Sequence, residues 1–294
     1  MIDQILFRTL VGPNNLPFSI TCLQSVLNNS VNPIRLEIFD DGNLKTEHIH
    51  LLQSSLPNSI VIPKADRDMM ILEKLKNYPK CLYFRNSNVL AYKLFDTILF
   101  NDRNFYFVDT DVIFYRKFKL PPFPEEAIFM VDYTDSYNFR PVHFFNINTP
   151  VFPRSNTGFM FFPAKKYDLD YIEKTLQNAT LYNNVMHPWA EQTMWSFLAA
   201  KYDKVNIFDP LQVVIASAKM KVSESTIAIH FIKPFRHTID KFKFLEKTQD
   251  TYTEIKLIET SEKLSFLVFT TRWLTRKFLA ALKKVGLLKR TERF

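Results

Sequence analysis

Glycine is nearly missing from this 294-residue chain, which has four: Gly12, Gly42, Gly158 and Gly286. So few exclude a glycine-rich phosphate loop of the GxGxxG or GxxxxGK[ST] kind. Cysteine is rarer still. Cys22 and Cys81 rule out a disulfide scaffold and a multi-cysteine zinc site, and they fit a reducing compartment. The six histidines show no HExxH spacing. No run of 18 charge-free apolar residues is present, so no spanning helix is expected. The first residues, Met1 to Phe7, lack a basic segment followed by a long apolar run, so no signal peptide is expected. There is no low-complexity stretch and no internal repeat.

What is present is ordinary globular usage, 47% hydrophobic and 23% charged, with 29 phenylalanines. That length suits one large domain, or a domain with an appendage, and can bury a large core. The net charge of +8 is unevenly spread. Residues 262–294 hold nine basic and two acidic residues, a net of +7, which leaves the first 261 residues at +1. A nearly neutral body with a basic tail argues against a nucleic-acid-binding protein. The division expected is a catalytic domain over 1–245 and a basic amphipathic helix over 262–294.

The first half alternates strand and helix. Residues 2–11 read as a strand, 17–27 as a helix, Ile34–Phe39 as a strand, 44–55 as a helix and Ser59–Ile62 as a strand. Helices over 66–77 and 87–100 precede an apolar strand ending at Val108 and a second short run, Val112–Tyr115. The order predicts an α/β fold with a mixed, mostly parallel sheet flanked by helices, whose ligands collect at the carboxyl ends of the strands. Ala127–Val131, Thr157–Phe162, Val205–Phe208 and Thr226–Phe231 read as later strands, and Tyr167–Gln177 and Trp189–Tyr202 as helices. Between them Asp132–Pro153 has little regular pattern, and a loop that long reads as a functional lid.

Chemistry-bearing residues fall at predicted strand ends. Asp109-x-Asp111 follows the buried strand and can aim two hard carboxylates at one Mn²⁺ or Mg²⁺, or form a solvated turn with a helix cap. Asp40-Asp41-Gly42-Asn43 ends an earlier strand, where an acid can accept hydrogen bonds from a base or ribose, or make a plain Asp-Gly turn. Gly12, Gly42 and Gly158 lie near the same edge and mark positive φ or close backbone approach, or simple turns. Glu191-Gln192 opens a helix, as a cap or facing an acceptor hydroxyl. His230 follows a late strand as a third metal ligand or a structural histidine, with Lys233 and Arg236 suited to a pyrophosphate.

In this order the segments resemble the GT-A glycosyltransferases, of the glycogenin and lipopolysaccharide galactosyltransferase type. Val108-Asp109-Thr110-Asp111 is similar to the metal-binding DxD, Asn156-Thr157-Gly158-Phe159-Met160 to the N-x-G-x-M strand, Glu191-Gln192 to an Asp-Gln pair, and Ile229-His230-Phe231 to the late histidine. The resemblance covers roughly residues 2–240. It implies Mn²⁺ or Mg²⁺ held by Asp109, Asp111 and His230. It implies a nucleotide-sugar donor, uridine diphosphate favoured, held by Gly12, Asp40, Asp41, Asp109, Asn156, Gly158, Lys233 and Arg236. Glu191, Gln192 and Asp132 become candidates to activate the acceptor hydroxyl or steady the sugar cation, with retention or inversion left open. A nucleotidyltransferase, and a non-catalytic membrane-recruited protein on the same fold, are the alternatives.

From Leu264 onward the spacing is helical. Leu267, Leu274, Phe278, Ala281, Val285 and Leu288 form an apolar stripe, with Arg276, Lys283 and Arg290 recurring every seven residues mostly away from it. Such a basic amphipathic helix lies on an anionic membrane, or packs on the body or a second copy. The first reading implies a glycan or glycolipid acceptor and a cytoplasmic protein peripheral to the inner face of a membrane.

Overall fold

The computed structural model describes residues 4–217, 220–245 and 251–285. Four parallel strands open it: β1 (Ile5–Val11), β2 (Ile34–Asp40), β3 (Ser59–Ile62) and β4 (Tyr106–Val108). Alternation along β1 explains its placement. Phe7 and Val11 enter the core on one face, and Leu6 enters the core on the other. Helices α1 (Leu16–Asn29) and α2 (Thr46–Ser55) connect the first three strands. Pro17 in the first turn of α1 suits a position whose N–H needs no partner.

Between β3 and β4 lie α3 (Lys64–Leu75), α4 (Pro79–Ser87), α5 (Ala91–Leu94) and α6 (Asp96–Leu99). The single helix expected over 87–100 is therefore two short ones, entered by a turn in which Asn88 Oδ1 accepts the Leu90 N–H at 3.0 Å. These helices carry a buried ionic cluster. Asp96 accepts from Arg67 Nε and Arg85 Nε, each at 2.7 Å, while Arg67 also donates to the Asp40 carbonyl at 2.6 Å. Arg8 pairs with Glu37 at 2.9 Å across β1 and β2.

After β4 the chain forms β5 (Val112–Phe114), β6 (Phe118–Lys119), β7 (Ile128–Val131), α7 (Phe144–Ile147), β8 (Ser155–Phe161), α8 (Leu169–Thr175), α9 (Ala179–Tyr182), α10 (Ala190–Ala200), β9 (Val205–Phe208), β10 (Val213–Ile215), β11 (Ala228–His230), β12 (Thr253–Glu254), β13 (Leu257–Thr260) and α11 (Phe266–Lys284). The central sheet runs β13-β9-β7-β8-β4-β1-β2-β3, with β8 antiparallel to both neighbours. β10, β11 and β5 form a second sheet, packed through Ile113 and Ile229 against Cys22 of α1.

The strand expected over Thr157–Phe162 is β8, which begins two residues earlier and takes in Asn156-Thr157-Gly158, with a bulge opposite Phe129 and Met130 that shifts the register. One expectation is corrected. The segment 132–153 is not patternless. It holds a 3₁₀ turn (Pro141–His143) and α7, and buries Tyr137, Phe139, Ile147 and Val151 in the core. The tail residues Gly286, Leu288, Lys289, Arg290 and Arg293 lie outside the described residues. Among the described residues no helix is long and apolar enough to cross a membrane.

Candidate active site

Strand ends gather the acids. β4 stops at Val108, and the Asp109 N–H donates to the Gly158 carbonyl of β8 at 2.6 Å, which fixes the first aspartate beside the bulge. The second is fixed by β11: the Phe231 N–H donates to the Asp111 carbonyl at 2.7 Å, and His230 registers opposite Val112. Asp109, Asp111 and His230 thus offer ligand atoms that all lie within 4.8 Å of one another. His230 Nε2 sits 3.0 Å from Asp111 Oδ1 and 4.0 Å from Asp109 Oδ2.

The ring's other nitrogen is also engaged. His230 Nδ1 lies 3.0 Å from Asn156 Oδ1, which accepts the Gly158 N–H as well at 2.9 Å. An acceptor at Nδ1 keeps a proton there and turns Nε2 toward the acids, so that Nε2 is the nitrogen that would bind a metal on giving up the proton it shares with Asp111. A methyl group at Gly158 would overlap the imidazole, so this glycine is required by close approach. Two carboxylates and one oriented imidazole are a hard oxygen and nitrogen donor set that fits Mn²⁺ or Mg²⁺.

Cations ring this centre. Arg236 Nη2 donates to Asp111 Oδ2 at 2.6 Å. Lys93, 4% exposed, donates to Asp109 Oδ1 at 3.0 Å and stands 4.0 Å from Glu191 Oε1. The sequence reading missed Lys93. Its signal was a lysine among Ala91, Leu94 and Phe95 on what should be an apolar helix face. The charges divide the two aspartates. Burial alone would push Asp111 up, but His230 and Arg236 outweigh it and hold it at about 2. Asp109 is pushed up, by burial first and by Asp111 as well, against the pull of Lys93. Burial would lower His230, and Asp111 and Asp109 together raise it.

Glu191 and Gln192 lie in the first turn of α10, both buried, and neither caps the helix. Glu191 Oε2 accepts from Thr157 Oγ1 at 3.2 Å, while Oε1 has no hydrogen-bond partner. Burial, with Asp109 adding, lifts this carboxyl to about 7 despite Lys93. Gln192 donates to the Ser136 carbonyl at 3.0 Å. Asp132 accepts the Thr134 N–H at 3.2 Å, and burial pushes it up.

A cavity of about 1140 Å³ brings together Asp109, Asp111, His230, Asn156, Asp132, Glu191, Gln192, Lys233 and Arg236. Gly12, Asp40, Asp41 and Gly158 do not line it. Asp40 is buried and accepts the N–H groups of Gly42 at 2.8 Å and Leu44 at 3.1 Å, so its carboxylate shapes the turn. Gly42, at φ 96°, makes that turn possible. Asp41 accepts the Asn43 N–H at 2.9 Å and lies directly against Gly12, where any side chain would collide with it.

No protein-family model and no curated protein matches the sequence. Solved structures do match the fold. The galactosyltransferase LgtC, in complex with donor and acceptor sugar analogs, superposes with a TM-score of 0.52 at 11% identity, over 84% of this chain and 97% of its own. A glycosyltransferase involved in glycosylation of the major capsid of PBCV-1 matches at a TM-score of 0.41 and 14% identity, over 83% of this chain and 100% of its own.

Proposed function

We propose that this chain, which has the GT-A fold of glycosyltransferases, transfers a sugar from a nucleotide-diphosphate sugar, uridine diphosphate favoured, to a hydroxyl acceptor with a divalent metal. The observation that carries the reading is the Asp109–Asp111–His230 cluster within 4.8 Å at the strand ends, inside the large cavity. A Mn²⁺ or Mg²⁺ bound there supplies Lewis-acid stabilisation to the negative charge that grows on the departing diphosphate.

The chain's own residues do the rest. Asp109, Asp111 and His230 hold the cation, with Asn156 orienting the imidazole. Lys93, Lys233 and Arg236 stabilise the diphosphate charge as the sugar C1–O bond breaks. Asp40, Asp41, Gly12, Asn156 and Gly158 form the nucleotide side through the turn after β2 and the bulge of β8. Glu191, lifted to about 7, is poised to take the acceptor proton at neutral pH. Asp132 is the second candidate for that step, and Gln192 the group that steadies the sugar cation. The apolar face of α11 rests on an anionic membrane, peripheral on the cytoplasmic side, with Leu267 73% and Phe278 64% exposed in support.

The test is release of free nucleoside diphosphate from a panel of nucleotide sugars with Mn²⁺ and with chelator. Metal-dependent release supports the reading, and pyrophosphate formation from a nucleoside triphosphate would replace it with nucleotidyl transfer. Sedimentation with phosphatidylglycerol vesicles, against phosphatidylcholine vesicles, tests the membrane face.

A further inference from the structure

The large cavity is not closed by the catalytic domain alone. Trp273, Arg276 and Lys277 of α11 line it together with Asp109, Asp111 and His230. Their position follows from how the helix is anchored. Ser265 caps it, accepting the Val268 N–H at 3.3 Å. Phe269 is buried against Tyr137 and Phe139, with ring centroids 6.0 and 5.4 Å apart. Arg272 pairs with the buried Asp135 at 3.2 Å. Residues four, seven and eight positions beyond Phe269 share its side of the helix, so this anchor turns Trp273, Arg276 and Lys277 to the cleft.

Two features show what that wall faces. The cavity, about 1140 Å³, exceeds the roughly 300–1,000 Å³ of a single small-molecule site, which leaves room beyond a donor. Its charge is also unbalanced on this side. Arg140, Arg276 and Lys277 line it, and among the described residues no carboxylate forms an ion pair with them. Lys277 Nζ instead stands 5.4 Å from the Trp273 ring centroid, so an aromatic face and two cations are grouped at one spot. The opposite side of the same helix is apolar and exposed, with Leu267, Leu274 and Phe278.

We propose that α11 forms the acceptor subsite, in which Trp273 covers the acceptor sugar and Arg276 with Lys277 binds a phosphate group carried by that acceptor. The inference rests on the transferase reading for the word acceptor, and on the helix geometry for the phosphate. Arg276 presents the forked donors that match a phosphate, Lys277 adds a point charge, and Trp273 offers a flat amphipathic surface to a sugar ring. The phosphate belongs to a lipid headgroup or to a soluble sugar ester. The exposed apolar face of the same helix favours the lipid, because docking it on a bilayer brings the basic wall to headgroup level.

The experiment is calorimetric titration of the full chain in two stages. Uridine diphosphate with Mn²⁺ comes first and tests the donor side alone; no binding there sinks the transferase reading and leaves the wall to the second stage. With both kept present, octyl glucoside, octyl glucosyl phosphate and glucose 1-phosphate are then compared. The expected result is at least about tenfold tighter binding of octyl glucosyl phosphate than of octyl glucoside, lost in the double variant R276Q/K277Q. Glucose 1-phosphate binding as tightly as octyl glucosyl phosphate assigns the phosphate to a soluble ester, and weaker binding assigns it to a lipid. Equal binding of octyl glucoside and octyl glucosyl phosphate overturns the proposal, and so does a double variant that keeps the preference. W273F, which keeps an aromatic ring, is expected to retain the phosphate preference where R276Q/K277Q does not.

Discussion

The buried charges around Asp96 and those around Asp109 and Asp111 are finished differently. Around Asp96 the charges close on themselves: both carboxylate oxygens accept from arginines, and Arg67 uses further donors on the carbonyls of Asp40 and Ile62. Around Asp109 and Asp111 the charges face a cavity, Glu191 Oε1 and Arg236 Nε have no hydrogen-bond partner, and one carboxylate is pushed up while its neighbour is held down. The first group holds the turn after β2 in place. The second marks the candidate site, because its unmet valence faces the cavity.

That contrast is exposed to direct attack. Replacing Asp109→Asn should lower metal-dependent nucleoside diphosphate release by about 10²–10³-fold while moving the unfolding free energy by no more than about 1 kcal/mol, read from initial rates and urea melts. A large loss of stability instead would make Asp109 scaffolding. Asp96→Ala should do the reverse and cost about 3–5 kcal/mol, since it strands the buried Arg67 without a counter-charge and leaves Arg85 only Asp68; a urea midpoint that stays put would break the comparison.

A third test uses pH. Glu191 titrates at about 7 in the folded chain, above its ordinary 4.5, so the native state holds a proton that the unfolded chain has given up. Its contribution to stability therefore falls as pH rises from about 4.5 through about 7, by on the order of 3 kcal/mol in all. Glu191→Gln should remove that decline, and urea midpoints at pH 5 and pH 8 measure it. Asp111 runs the other way: held at about 2, its stabilisation is present above its ordinary 3.8 and is lost as pH falls through about 2. The smallest effect belongs to Arg236→Gln, whose half-exposed side chain should cost about tenfold in turnover and under about 1 kcal/mol of stability.

The members of the candidate metal cluster were legible because they stand beside strong local signals. Asp109, Asp111 and His230 each flank a short apolar run, and strand ends in an alternating fold converge on one edge. Ser59–Ile62 and Val205–Phe208 were bounded correctly for the same reason, by turn residues on both sides. What stayed hidden depends on contacts distant in sequence. Lys93 reaches Asp109 from a helix sixteen residues away, and Arg67, Arg85 and Asp96 read as ordinary surface charge until α3, α4 and α6 fold together. The bulge in β8 is equally silent, since it arises from pairing with β7 rather than from Asn156-Thr157-Gly158 itself. The Asp-Gly turn was legible too, and Asp40 accepts the N–H groups of Gly42 and Leu44 within it.

Where His230 lies flat on the backbone at Gly158, one hydrogen atom decides which amino acids evolution can use there. Alanine, the smallest step away, would tilt the imidazole off Asn156 and free it to swap its protonated nitrogen. The surrounding phenylalanines can be exchanged for other bulky side chains with the shape kept, whereas a single added carbon here disturbs the grouping of Asp109, Asp111 and His230.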